Sequence, residues 1–138
     1  MLIEYIHNIF GSDINTSLDK SIYIKYNINT VINCTSNIGF LDIDIKKIRI
    51  PLTEDLNHHT DIPLLIKNID KILNYINDNY IDNTILISCS TGINIGPLII
   101  GLFMVKYGNI SIMDVKNILK SKNKDICIDY DLSIFNLK

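Results

Sequence analysis

The stretch Thr84-Ile-Leu-Ile-Ser-Cys-Ser-Thr-Gly-Ile-Asn-Ile-Gly-Pro97 decides how the chain is read. Thr84 to Ser88 is short, largely apolar and β-branched, which predicts a buried strand. Cys89 ends it. Ser90 to Gly96 is a compact turn with two glycines. Pro97 to Tyr107 follows, apolar almost all round, which predicts a central, buried helix with Gly108 as its C′ stop. The backbone amides of such a turn can converge on one spot, and the positive end of the helix adds to them. An anion is favoured there. The same field favours a thiolate over a thiol, so Cys89 is expected to have a lowered pKa and to be a potential nucleophile. A plain buried cysteine at a strand end is the alternative, and the loop composition favours the first reading.

Outward from this turn, the pattern predicts strands alternating with helices. Ile3 to Phe10 reads as two extended pieces ending at Gly11. Thr16 to Tyr26 reads as a helix with Leu18, Ile22 and Tyr26 on one face. Thr30 to Cys34 is a buried strand and Ile45 to Ile50 a strand stopped by Pro51. After a polar loop from Leu52 to Thr60, Asp61 is an expected N-cap with Pro63 in the first turn. Ile62, Leu65, Ile66, Ile69, Ile72, Leu73 and Ile76 then repeat at helical spacing. Ser111 and Asp114 form a capping-box-like start to a helix ending near Ser121. Ile126 to Lys138 is ambiguous. Alternation of this kind implies an α/β domain with a largely parallel sheet covered on both faces. Ligands of such sheets bind at the carboxyl ends of the strands, which directs attention back to Cys89.

With 138 residues and no linker-like stretch, the chain reads as a single domain, 1–138. A composition of 47% apolar and 20% charged residues is that of a globular protein. The formal net charge of -2, with no basic stripe, argues against nucleic acid as a main partner. The longest apolar run, Pro97 to Val105, is too short to span a membrane. The first residues lack the pattern of a signal peptide. Three widely separated cysteines, Cys34, Cys89 and Cys127, imply free thiols and a reducing, cytoplasmic compartment. Cys34 and Cys127 read as small buried residues, and His7, alone among apolar neighbours, as a structural histidine. Adjacent His58 and His59 lack metal-ligand spacing and read as a solvated loop, so no metal is implied. Usage is skewed toward Ile, Asn, Lys and Asp, as in AT-rich coding, and Arg49 is the single arginine.

At Cys89, Gly92 and Pro97 the chain resembles the cysteine-dependent protein tyrosine phosphatases, above all their dual-specificity branch. Their loop reads His-Cys-x-x-Gly-x-x-Arg-Ser/Thr, often followed by proline. Tyr5 to Gly11, Thr30 to Cys34 and Ile48-Arg-Ile-Pro-Leu52 resemble that family's opening strand pair, its V-x-N strand and the strand entering its general-acid loop. The compact form is similar to dual-specificity enzymes of large DNA viruses. The resemblance implies a central mixed, largely parallel sheet flanked by helices and no cofactor. It also implies a phosphoprotein or signalling-protein partner, and leaves the oligomeric state open. Cys89 would attack phosphorus, the amides of Ser90, Thr91, Gly92, Ile93, Asn94, Ile95 and Gly96 would hold the oxygens, and Glu54 or Asp55 would be the acid. Both carboxylates read equally well as solvated loop residues.

Three signature positions depart from the pattern. Ser88 stands where the family has histidine, Ile95 where it has arginine, and Gly96 where it has a hydroxyl. An aliphatic side chain cannot replace a bidentate charged donor. The expectation is therefore a pseudophosphatase, a catalytically impaired binding domain, with a residual phosphatase as the alternative. Ile95 reads either as a residue closing a dead pocket or as an apolar mouth fit for a partner's side chain. Arg49 alternates with Ile48 and Ile50, so its expected role is on the surface or in anchoring a loop, rather than in restoring the missing charge.

Overall fold

A computed structural model describes residues 1–53 and 59–137, and the candidate acids Glu54 and Asp55 lie outside the described residues, as does His58. β1 (Leu2–Ile6) and β2 (Ile9–Asp13) form an antiparallel hairpin at one side of a five-stranded sheet of order β1-β2-β5-β3-β4. β3 (Thr30–Asn33), β4 (Lys46–Arg49) and β5 (Ile85–Cys89) run parallel to β2. All of β5 is buried, because a parallel strand between two neighbours is covered on both faces.

Ile32, Ile85 and Ile87 point to the larger core, packed with residues of α3 (Asp61–Asn79), α4 (Ile95–Tyr107) and α5 (Ile112–Lys122). Phe10, Tyr23, Ile28, Val31 and Leu86 form a smaller cluster on the opposite face. Helix α3 buries one stripe, Ile62, Leu65, Ile69, Leu73 and Ile76, and leaves Ile66 exposed. Helix α4 differs in kind: every residue from Ile95 to Met104 is buried. It begins two residues before Pro97 and so takes in Ile95 and Gly96. The ambiguous C-terminal stretch buries Ile126, Ile128, Leu132 and Phe135 in the larger core, the last two in a 3-10 turn.

Several sequence expectations are corrected. Thr16 to Tyr26 is two short helices, α1 (Ile14–Ser17) and α2 (Lys20–Lys25). The Asp13 carboxylate accepts from the Thr16 N–H at 2.9 Å and that of Asp19 from the Ser21 N–H at 3.0 Å. Two caps six residues apart start two helices instead of one. Leu18 and Tyr26 are consequently exposed, and Tyr23 is the buried residue, its hydroxyl donating to Ser17 O at 2.6 Å. Strand β2 runs beyond Gly11 to Asp13. Thr60, not Asp61, is the N-cap residue of α3; Asp61 lies inside the helix, buried, and accepts from the Thr53 N–H at 3.2 Å. Gly108 has φ -101°, and the left-handed residue is Asn109 at φ 54°. Glycine is required at 108 for space, since a Cβ there would lie 2.7 Å from Met104 O. Cys127 is exposed rather than buried, and His7 is exposed as well.

Burial opposes ionisation of Asp13, yet hydrogen bonds from Thr16 and the nearby N-terminal amine hold its carboxyl below the usual carboxylate range. A depressed folded-state pKa contributes stability above the unfolded value of about 3.9 and loses it as pH falls through the folded value. Asp13→Ala is therefore expected to lose about 0.5–2 kcal/mol near neutral pH. Urea titrations across pH should show that deficit shrinking only below about pH 4.

Candidate active site

Cys89 is the last residue of β5 and is held from both sides. Its register partner on β2 is Asp13. On β3, Asn33 pairs with Ser88, and the Cys34 N–H then donates to Ser88 O at 2.8 Å. The Cys89 side chain is 1% exposed. The chain then folds over the sulfur and returns as α4, so that the Gly96 N–H donates to Cys89 Sγ at 3.3 Å. Sulfur and helix N-terminus thus meet directly, the placement in which the helix field acts most strongly on an anion.

The intervening loop is pinned by its backbone. Gly92 has φ 75°, and a Cβ there would lie 2.7 Å from Asp13 N and 2.9 Å from Ser12 C. Glycine is needed at this point both for its left-handed conformation and for the close approach of β2. Thr91 Oγ1 accepts from the Ile93 N–H at 3.4 Å, and Asn94 O accepts the first bond of α4, from Leu98 N–H at 2.9 Å. Ile93 O accepts from the Cys127 N–H at 2.8 Å, which ties the loop to the C-terminal segment. This last anchor, and the seat on Asp13, were not foreseen. Both are made by backbone atoms of distant segments, which no residue type advertises.

The degenerate positions have specific surroundings. Ile95 is 2% exposed and belongs to the larger core. The reading of Ile95 as an apolar mouth is thereby corrected: its side chain packs inward and offers nothing to a partner. Ser88 is fully buried, and neither its hydroxyl nor the side-chain carbonyl of Asn94 has a hydrogen-bond partner among the described residues. Gly96 leaves room for a side chain, since a Cβ there would sit 3.4 Å from Ile87 O and 3.5 Å from Cys89 Sγ, both ordinary contacts. Cys34, beside Cys89, is buried, and burial followed by the charge of Cys89 pushes its thiol well above the usual range.

Arg49 anchors a loop, one of the two roles its strand position allowed. One guanidinium nitrogen donates to Thr35 O at 2.8 Å and another to Ile38 O at 2.7 Å, and the group lies 4.9 Å from the Phe40 ring centre. Asn33 joins it, donating to Ile38 O at 3.0 Å and accepting from the Thr35 N–H at 2.9 Å. The only arginine of the chain thus holds the loop that follows β3.

A strand–cysteine–loop–helix turn on a mixed, largely parallel sheet defines the class of the protein tyrosine phosphatases and their dual-specificity branch. The family model for the dual specificity phosphatase catalytic domain matches residues 9–133, and the chain belongs to that family. Human DUSP28 superposes with a TM-score of 0.82 at 9% identity, over 97% of this chain and 88% of that one. A leucine rich repeat and phosphatase domain containing protein of Entamoeba histolytica gives 0.78 at 16% identity, over 97% and 86%. The human tyrosine phosphatase-like serine/threonine/tyrosine-interacting protein gives 0.78 at 10% identity, over 97% and 91%. At these identities the likeness is one of fold. No curated protein matches the sequence. No helix among the described residues is long and apolar enough to cross a membrane.

Gly92→Ala is expected to destabilise the domain by at least about 1–2 kcal/mol from the left-handed conformation alone. The clash with β2 adds to this. Chemical denaturation measures the loss, and a cost near zero would mean that the loop does not press on Asp13.

Proposed function

We propose that this dual-specificity-phosphatase domain is a pseudophosphatase: a binding domain for phosphoproteins or for phosphatase partners, with turnover lost or severely reduced. The observation that carries the reading is Ile95. It occupies the first residue of α4, where the family's loop arginine belongs, and packs into the core at 2% exposure. Arg49 is bonded to Thr35 and Ile38 and offers no substitute. Loss of a single donor to a transition state typically slows an enzyme by ~10²–10³, and a charged bidentate donor contributes at least that much. Ser88 and Gly96 add to the case, because neither position supplies the group that assists the family's reaction.

One observation favours residual phosphatase activity instead. Cys89 is retained, with the Gly96 N–H on its sulfur. In that reading Cys89 Sγ attacks phosphorus, Glu54 or Asp55 gives its proton to the leaving oxygen, and water then releases phosphate from the phospho-cysteine. The amides of Ser90 to Gly96 hold the oxygens throughout. Free thiols at Cys34, Cys89 and Cys127 accord with a reducing, cytoplasmic setting.

Hydrolysis of an aryl phosphate separates the two. The wild-type rate is expected to equal that of Cys89→Ser, and a wild-type rate abolished by Cys89→Ser would defeat the pseudophosphatase reading. The combined variant Ser88→His, Ile95→Arg, Gly96→Ser is expected to gain Cys89-dependent turnover by at least ~10² if it folds, which circular dichroism checks. Inorganic phosphate should raise the melting temperature of the wild type only slightly, because amide donors remain while the side-chain charge is gone.

A further inference from the structure

Strand β4 is the outer edge of the sheet, and among the described residues no strand pairs with its far side. The Lys46 N–H donates to Asn29 O at 3.0 Å and the Ile50 N–H to Asn33 O at 2.9 Å. Successive residues of a strand turn their N–H and C=O groups to opposite sides within the sheet plane. Lys47 and Arg49 therefore turn theirs outward, away from β3. Two of the four residues of this regular strand thus turn their pairing groups to that side.

A cleft of ≈ 350 Å³ lies beside this edge, between β4 and α3. Ile48, Ile50, Leu64, Ile72 and Tyr75 form its apolar walls, and Lys71 stands exposed on the helix side. Tyr75 also lines a separate polar depression that holds Lys46, with Asp44 as the carboxylate there. Lys47 is exposed on the opposite face of the strand. The Arg49 guanidinium takes no part, being bonded to Thr35 and Ile38.

An open backbone edge, an apolar slot along it and lysines on both faces complement one kind of occupant. We propose that β4 and its cleft receive an extended acidic–apolar segment of a partner protein, which adds a strand to the sheet. Its backbone pairs with Lys47 and Arg49, its apolar side chains enter the cleft against Ile48 and Ile72, and its alternate carboxylates lie on the other face with Lys47, while Lys71 adds positive charge at the rim of the cleft. Main-chain pairing gives such a complex affinity and the alternate side chains give it selectivity. A second copy of this chain fits less well. Pairing of β4 with β4 would bring Lys46 and Lys47 close to the same lysines of the other copy, and opposed like charges destabilise a strand pair. The site owes nothing to Cys89, which lies two strands inward on β5.

The probe is a phage-displayed library of random dodecapeptides, followed by a synthetic peptide of alternating valine and glutamate. Enriched sequences should alternate apolar and acidic residues, and the bound peptide should protect the Lys47 and Arg49 amides from hydrogen exchange. Lys47→Pro deletes one outward N–H and spares the inward ladder, since proline is tolerated where an edge N–H faces solvent. It should weaken binding roughly tenfold with an unchanged circular dichroism spectrum. Lys71→Glu, which leaves the backbone untouched, should weaken binding most at low salt. Cys89→Ser should bind as the wild type does, whatever the outcome for phosphatase activity. The proposal is overturned if the library enriches no such pattern, if neither variant changes the affinity, or if sedimentation shows a dimer of this chain that pairs through β4.

Discussion

The burial of α4 on every side is the constraint from which the rest of the site follows. Ten successive residues, Ile95 to Met104, are removed from solvent between the sheet and helices α3 and α5. Each large aliphatic side chain so buried contributes about 1.5–3 kcal/mol relative to exposure. No local preference of a short loop competes with that sum. Strand β5 is equally fixed, bonded to β2 on one side and β3 on the other. Ser90 to Asn94 therefore joins two immovable ends, and its path over Cys89 is imposed by the fold. This is why the turn holds Cys89 against the start of α4 without the histidine and arginine of the family signature. The shape is a consequence of core packing, and ligand-gripping side chains are additions to it.

The same constraint accounts for Ile95. The first residue of a helix buried all round has two environments open to it, the anion-binding loop and the core behind it. A guanidinium in the loop serves chemistry, and an isoleucine in the core serves packing. Here the aliphatic side chain adds to the largest hydrophobic cluster of the molecule. Arg49 illustrates the complementary choice. Its fork satisfies two backbone carbonyls after β3 and covers the Phe40 ring, so the chain spends its one arginine on architecture. Activity commonly requires groups that the fold itself would rather not hold, and their loss leaves stability intact or improved.

What the sequence disclosed follows from which interactions leave a pattern in it. Strands β3 and β5 and helices α3, α4 and α5 were legible because burial imposes runs and periods on residue type. Cys89, its glycines and the missing arginine were legible because they sit in one contiguous segment. The division of α1 from α2 was not, because Asp13 and Asp19 compete locally with a periodicity that seemed continuous. Gly108 was recognised as a stop but for the wrong reason: close approach of Met104 O, not handedness, requires it. The anchors of the loop on Asp13 and Cys127 were hidden because they are backbone contacts between segments far apart in the chain.

These observations separate two ways in which such a domain can bind. Beneath the loop, Cys89 is 1% exposed and Ile95 2%, so little surface is offered there. Selectivity for a protein requires more surface than that. Affinity for macromolecules comes from extended contacts made by several residues, and a narrow anion seat supplies only one. The sheet edge offers length, alternation and charge, all outside the machinery that catalysis would need. Ile95 at the start of α4 and the outward groups of β4 belong to different elements and rest on different atoms, so a change in the signature loop leaves the sheet edge as it is.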